Sequence, residues 1–167
     1  MKNKISINLE VSLVEIIFSI LIFATAGAIM LYCFAAARFT QIKANDKVEA
    51  GSIVQSNAEM IKSFDNSNDM NEYLLNTFEF NATNKDENIF INYYDKAWNL
   101  CDEESKEYLI AVKISDVSYP YGEMKYINIK SEKVKPYPFI DKNKKEAQNV
   151  IFEINTQKFF PSLEGRW

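Results

Sequence analysis

From Val11 to Ala37 the chain reads V-S-L-V-E-I-I-F-S-I-L-I-F-A-T-A-G-A-I-M-L-Y-C-F-A-A-A, 27 residues that carry one charge, Glu15. A helix made of this stretch is apolar around its whole circumference, whereas a helix on a soluble core needs only one apolar stripe. The run from Ile16 to Ala37 holds 22 uncharged residues. At about 1.5 Å per residue, a helix of that length matches the ~30 Å of bilayer hydrocarbon. Thirteen of the 27 are Leu, Ile, Val or Phe. Each favours insertion by about 0.3–0.6 kcal/mol, against a few kcal/mol for a carboxylate at mid-membrane and far less near an interface. A single transmembrane helix over 11–37 is therefore predicted. The competing expectation is a cleaved secretory signal with Ala35-Ala36-Ala37 as its small-residue site, but such signals have apolar regions about half as long.

Past the apolar run, Arg38 to Phe64 has no proline and a single glycine, Gly51. Phe39, Ile42, Ile53, Met60, Ile61 and Phe64 recur at threes, fours and sevens, which predicts an amphipathic helix over 38–64 continuing the first. A helix from Val11 to Phe64 would be about 80 Å long. Asp46 and Glu49 interrupt the stripe, so that section is expected to be solvated or to face a neighbour. Asp65-Asn66-Ser67-Asn68-Asp69 predicts the stop, with Ser67 or Asn68 capping a short helix over Met70 to Phe78. The same residues resemble the opening of an EF-hand loop, but Met70 stands where glycine is required and Asn76 where glutamate is, so no calcium site is expected.

The period then changes to alternation. Ile89, Ile91 and Tyr93 alternate with Phe90, Asn92 and Tyr94, while Tyr108, Ile110, Val112 and Ile114 share one face of a run ending near Tyr119. Pro120-Tyr121-Gly122-Glu123 predicts a turn, Met124 to Lys130 its partner strand, and Val150 to Asn155 a fourth strand. Val134-Lys135-Pro136-Tyr137-Pro138-Phe139 is excluded from a central strand because each proline removes a ladder donor. Lys142-Asn143-Lys144-Lys145 reads as a solvated loop, and the aromatic end Phe159 to Trp167 as a tail folded over the sheet edge. The expected fold class is α+β: a long N-terminal helix, part transmembrane and part amphipathic, packed on a small antiparallel sheet in a head over 65–167.

Composition narrows the chemistry. The net charge is −4, and Arg38 to Trp167 alone also carries −4, which argues against a nucleic-acid partner held by phosphate neutralisation. Histidine is absent, which removes Ser-His-Asp triads, Cys-His pairs and histidine-ligated metals. Cys33 and Cys101 lie in different environments and give no intrachain disulfide framework. Asp102-Glu103-Glu104 beside Cys101 reads as a solvated turn, and tyrosines 93, 94, 108, 119, 121, 126 and 137 as sheet packing before a ligand platform. No catalytic, cofactor-binding or metal residue is marked, and the expectation is a protein that is not an enzyme.

Lys2 and Lys4 precede the apolar run, which favours a cytoplasmic N-terminus and a head outside the cell membrane, despite Arg38, Lys43 and Lys47 beyond it. Val11-Ser12-Leu13-Val14-Glu15-Ile16-Ile17-Phe18-Ser19-Ile20-Leu21-Ile22 resembles the start of type IV pilins and of the pseudopilins of type II secretion and DNA-uptake machines. In that family a short basic leader is removed, the mature chain begins with an apolar residue, and a glutamate stands fifth. A cut between Glu10 and Val11 places Glu15 at that fifth position. Glu10 stands where the family has glycine. The resemblance implies a pilin-like fold, a prepilin peptidase acting at residues 1–10, methylation of a new Val11 amine, and other pilin or pseudopilin subunits as partners through the helix. It also implies that Glu15 sets subunit register in a filament, with no cofactor. The alternative is a signal-anchored single-pass protein with an extracytoplasmic sensor or binding domain.

Overall fold

A computed structural model describes residues 4–84, 87–135, 137 and 149–162. Helix α1 runs Lys4–Ser63 and helix α2 Ser67–Thr77; five strands follow, β1 Glu79–Asn84, β2 Glu87–Tyr94, β3 Tyr108–Tyr119, β4 Gly122–Lys133 and β5 Val150–Pro161. The chain divides into two units, Met1–Ile42 and Lys43–Trp167. The first consists, among its described residues, of α1 alone. The second is a long helix segment and a short helix on one face of an antiparallel sheet, the α+β arrangement that the sequence pattern predicts.

The first 60 helical residues contain no proline, and their end coincides with the turn-forming Asp65-Asn66. Lys158 on β5 donates to the carbonyl oxygens of Lys62 and Phe64, which the end of α1 would otherwise leave without partners. The cap of α2 is Asn66, one residue before the predicted Ser67 or Asn68; its side chain accepts from the Asn68 N–H at 2.9 Å. Asparagine suits this position because its short amide reaches back to the first free N–H groups. Asp65, Ser67 and Asp69 thus serve a helix start, and no group of metal-ligating side chains occurs among the described residues.

The strands form one meander in the order β1-β2-β3-β4-β5, every neighbour antiparallel. Strand β1 was not predicted, because Glu79-Phe80-Asn81-Ala82-Thr83-Asn84 offers one large apolar side chain and two asparagines. It pairs through Phe80 opposite Phe90, whose rings lie 5.3 Å apart. Register fixes the faces. Phe90 lies opposite Val112, Val112 opposite Ile129 and Ile129 opposite Ile154, giving an apolar row across the inner face. Onto that face pack Val54, Ala58 and Ile61 of α1, Met70 and Leu74 of α2, and Phe160 of β5. The outer face alternates to half-exposed and exposed positions.

Two expectations need correction. The helix stripe facing the sheet is Asp46, Ala50, Val54, Ala58 and Ile61, while Ile42 and Met60 are exposed. Asp46 is therefore buried, not solvated. Phe159, Phe160 and Pro161 are the last residues of β5 and not a folded-over tail; Leu163 to Trp167, Pro136, Pro138, Phe139 and Lys142 to Lys145 lie outside the described residues.

The β3–β4 hairpin turns through Pro120 and Tyr121, with Tyr119 opposite Gly122. Gly122 sits at φ +155, and a Cβ there would lie 2.3 Å from the Phe160 carbonyl oxygen and 2.6 Å from the Phe159 ring. Backbone cannot yield as a side-chain tip can. Gly122→Ala is expected to lower stability by about 2 kcal/mol or more in denaturant titration, with the loss concentrated where β5 meets the turn.

Candidate functional site

The first unit carries the candidate assembly surface. Glu10 and Val11 lie within the α1 backbone, and their side chains are outside the described residues. From Leu13 to Phe34 the exposed large apolar side chains keep between 51 and 83% of their surface open. No residue from Leu13 to Ala37 is buried. This is the inverse of a core helix, and it is a helix long and apolar enough to cross a membrane. Glu15 stands in this surface near its N-terminal end and makes no ion pair among the described residues. Thr25 donates to the carbonyl oxygens of Leu21 at 3.0 Å and Ile22 at 2.9 Å, and Thr40 to Ala36 at 3.0 Å. These hydroxyls are satisfied within the helix, so they cost little in an apolar medium.

The second unit holds two buried charge clusters that the sequence did not reveal. In the first, Asp46 on α1 is 6% exposed. Its carboxylate accepts from Tyr108 Oη at 2.9 Å, Tyr137 Oη at 2.7 Å and Lys133 Nζ at 3.4 Å. Lys133 also donates to Tyr108 Oη at 2.8 Å and pairs with Glu107 at 3.5 Å. Trp98 stacks flat on Tyr108, with ring centroids 4.1 Å apart. Its backbone is held at φ 62 by a turn in which Asp95 Oδ1 accepts from the N–H groups of Ala97 at 2.8 Å and Asn99 at 2.9 Å. The Asn99 backbone bond is the main reason that the Asp95 carboxyl lies below its ordinary range. The partners of Asp46 lie 62 to 91 residues away in sequence, so no local pattern discloses that its charge is met.

Burial, and then the hydrogen bond to Asp46, push the phenols of Tyr108 and Tyr137 well above their ordinary value. A phenol that ionises later in the fold than in the unfolded chain stabilises the fold fully below the unfolded value, near 10. That contribution is lost as pH rises beyond it, because the unfolded chain then releases protons that the folded one retains. Stability is expected to fall steadily above about pH 10, and Tyr137→Phe to flatten that fall at the cost of one hydrogen bond, read by unfolding at a series of alkaline pH values.

In the second cluster Lys125, 2% exposed, pairs with Asp116 at 2.8 Å and Glu123 at 2.7 Å. Ser67 donates to Glu123 at 3.3 Å. Burial would raise the Glu123 carboxyl, but the Lys125 hydrogen bond and charge, with that of Ser67, hold it below its ordinary value. Both clusters join a helix or its cap to the sheet, and both are internally paired.

The tyrosines do not form one platform. Tyr94, Tyr108 and Tyr137 are buried, while Tyr119, Tyr121 and Tyr126 are exposed. The turn after Cys101 is a short 3-10 helix, Glu103–Ser105, with no buried residue. Cys33 and Cys101 are both free. No protein-family model, curated protein or solved structure matches the chain.

Proposed function

We propose that this chain is a non-catalytic minor pilin or pseudopilin subunit of a type IV pilus, type II secretion or DNA-uptake filament. It is held as a single-pass membrane protein with its N-terminus cytoplasmic and its head outside, then assembled through α1. One observation carries the reading: the helical surface from Leu13 to Phe34 is apolar and uncovered, with Glu15 its single charge, while the residues after Ile42 fold into a separate unit. Such a surface must be covered by something apolar, and lipid serves first.

Transfer from lipid to neighbouring helices brings no hydrophobic gain, since lipid and leucine are equally apolar. Close packing and pairing of a carboxylate supply the difference. After removal of residues 1–10 the Val11 amine would be cationic, and Glu15 of an adjacent copy can neutralise it and so select one stagger. Contacts of this head-to-tail kind do not close on themselves and extend into a filament. The absence of histidine supports a non-catalytic role.

Glu10 favours a second reading, a signal-anchored sensor or binding module whose leader stays in place, because a bulky carboxylate occupies the position where the peptidase meets glycine. The intact mass of the chain isolated from its native cell separates the two. A chain beginning at Val11, methylated or not, is expected; a chain retaining residues 1–10 overturns processing and leaves the anchor. Glu15→Ala is expected to leave membrane insertion intact and to reduce recovery of the chain with partner pilins. Unchanged recovery contradicts the register role.

A further inference from the structure

The outer face of β3–β4–β5 carries an open groove of about 530 Å³, and Ser115, Tyr126, Asn128, Glu153 and Asn155 are among its lining residues. That size is ordinary for a small-molecule site, roughly 300–1,000 Å³. The register places these side chains together: Ser115 lies opposite Tyr126, Asn128 opposite Asn155, and Glu153 opposite Lys130. Neighbours across an antiparallel pair stand about 4.5–5.5 Å apart, close enough to share one ligand.

The polar groups are fixed before any ligand arrives. Asn128 Nδ2 donates to Glu153 Oε1 at 2.5 Å and to Asn155 Oδ1 at 2.7 Å. A carboxylate accepts only, so this contact also settles which end of the Asn128 amide is which, and both Nδ2 hydrogens are spent. Asn128 Oδ1 and Glu153 Oε2 are left as acceptors and Asn155 Nδ2 as a donor, each without a partner among the described residues. Tyr126, 43% exposed, forms one wall. The charge of the nearby Tyr119 phenol is the main reason that the Tyr126 phenol lies above its ordinary value.

An acceptor-rich wall with one free donor suits a ligand that both donates and accepts. Glu153 repels an anion, while Lys113 and Lys130 on the same face repel a cation. Lys130 is itself paired with Glu132 at 2.7 Å, so the groove presents little net charge. An exposed ring beside fixed amides matches the two sides of a pyranose, whose C–H face stacks on aromatics and whose vicinal hydroxyls bridge amide and carboxylate. We propose that this groove binds a neutral oligosaccharide, with Tyr126 as the stacking surface and Asn128, Glu153 and Asn155 as the hydroxyl-reading groups. The proposal goes beyond the filament reading and does not depend on it.

The test is calorimetric titration of the full chain, held in lipid nanodiscs free of glycoside detergent, with chitotetraose, cellotetraose and maltotetraose at millimolar concentration. At least one is expected to bind, with affinity falling about tenfold in Tyr126→Ala and in Asn128→Ala. Both positions are on the sheet surface, and circular dichroism of each variant checks that the fold is kept. Binding of none of the three, or binding undiminished in folded Tyr126→Ala, overturns the proposal. So does a preference for inorganic phosphate in the same titration.

Discussion

Asp46→Ala is expected to lower the unfolding free energy of the sheet-bearing unit by about 3–5 kcal/mol, because removal of one partner strands the others in a buried site. Lys133 then keeps a buried charge, and the Tyr137 hydroxyl loses its acceptor. Against a typical total of about 5–15 kcal/mol this is a large share. The companion double variant, Asp46→Ala with Lys133→Met, is expected to recover part of the loss, since no buried charge is left unmatched and the methionine refills the space. Denaturant titration of the single and double variants measures both. A single-variant loss under about 1 kcal/mol would mean that water reaches the cluster and that Asp46 is only nominally buried.

The second large effect lies in the other unit. Ile29→Arg puts a cation in the uncharged stretch from Ile16 to Ala37, at a side chain that is 65% exposed and therefore faces whatever surrounds the helix. On insertion scales the change costs about 3–4 kcal/mol, the sum of the lost isoleucine and the added charge. Against a favourable total of about 4–8 kcal/mol from the thirteen large aliphatic and Phe side chains, this halves the drive for insertion or removes it. The inserted fraction in a membrane-integration assay is expected to fall markedly. Glu15→Arg, near the end of the stretch, is expected to fall far less because its side chain reaches the interface.

What the sequence disclosed and what it hid follow from physical scale. The apolar run was legible because hydropathy is a local sum, indifferent to anything beyond its own 27 residues. The β3–β4 hairpin was legible because Pro120 and Gly122 are local turn signals flanked by alternation. The second half of α1 was misjudged at the stripe, since Ala50 and Ala58 are too small to stand out as apolar positions yet let the helix approach the sheet closely. The pattern pointed to an Asp46 that is solvated or faces a neighbour, because its partners come from β3, β4 and the segment after β4. Lys125 hid in the same way, its charge matched across the β3–β4 register by Asp116. Strand β1 was missed because an edge strand needs few large side chains when its neighbour supplies the ladder. Of the candidate site, Glu15 was visible as a lone charge in an apolar field; the groove on the outer face was not, because register alone brings β4 and β5 side chains together.

Alkaline carbonate extraction of membranes from the native cell, followed by the mass of the chain in each fraction, tests most directly whether the exposed surface of α1 belongs in lipid. The chain is expected to stay with the membrane pellet. Release into the supernatant with residues 11–37 still attached would contradict the account.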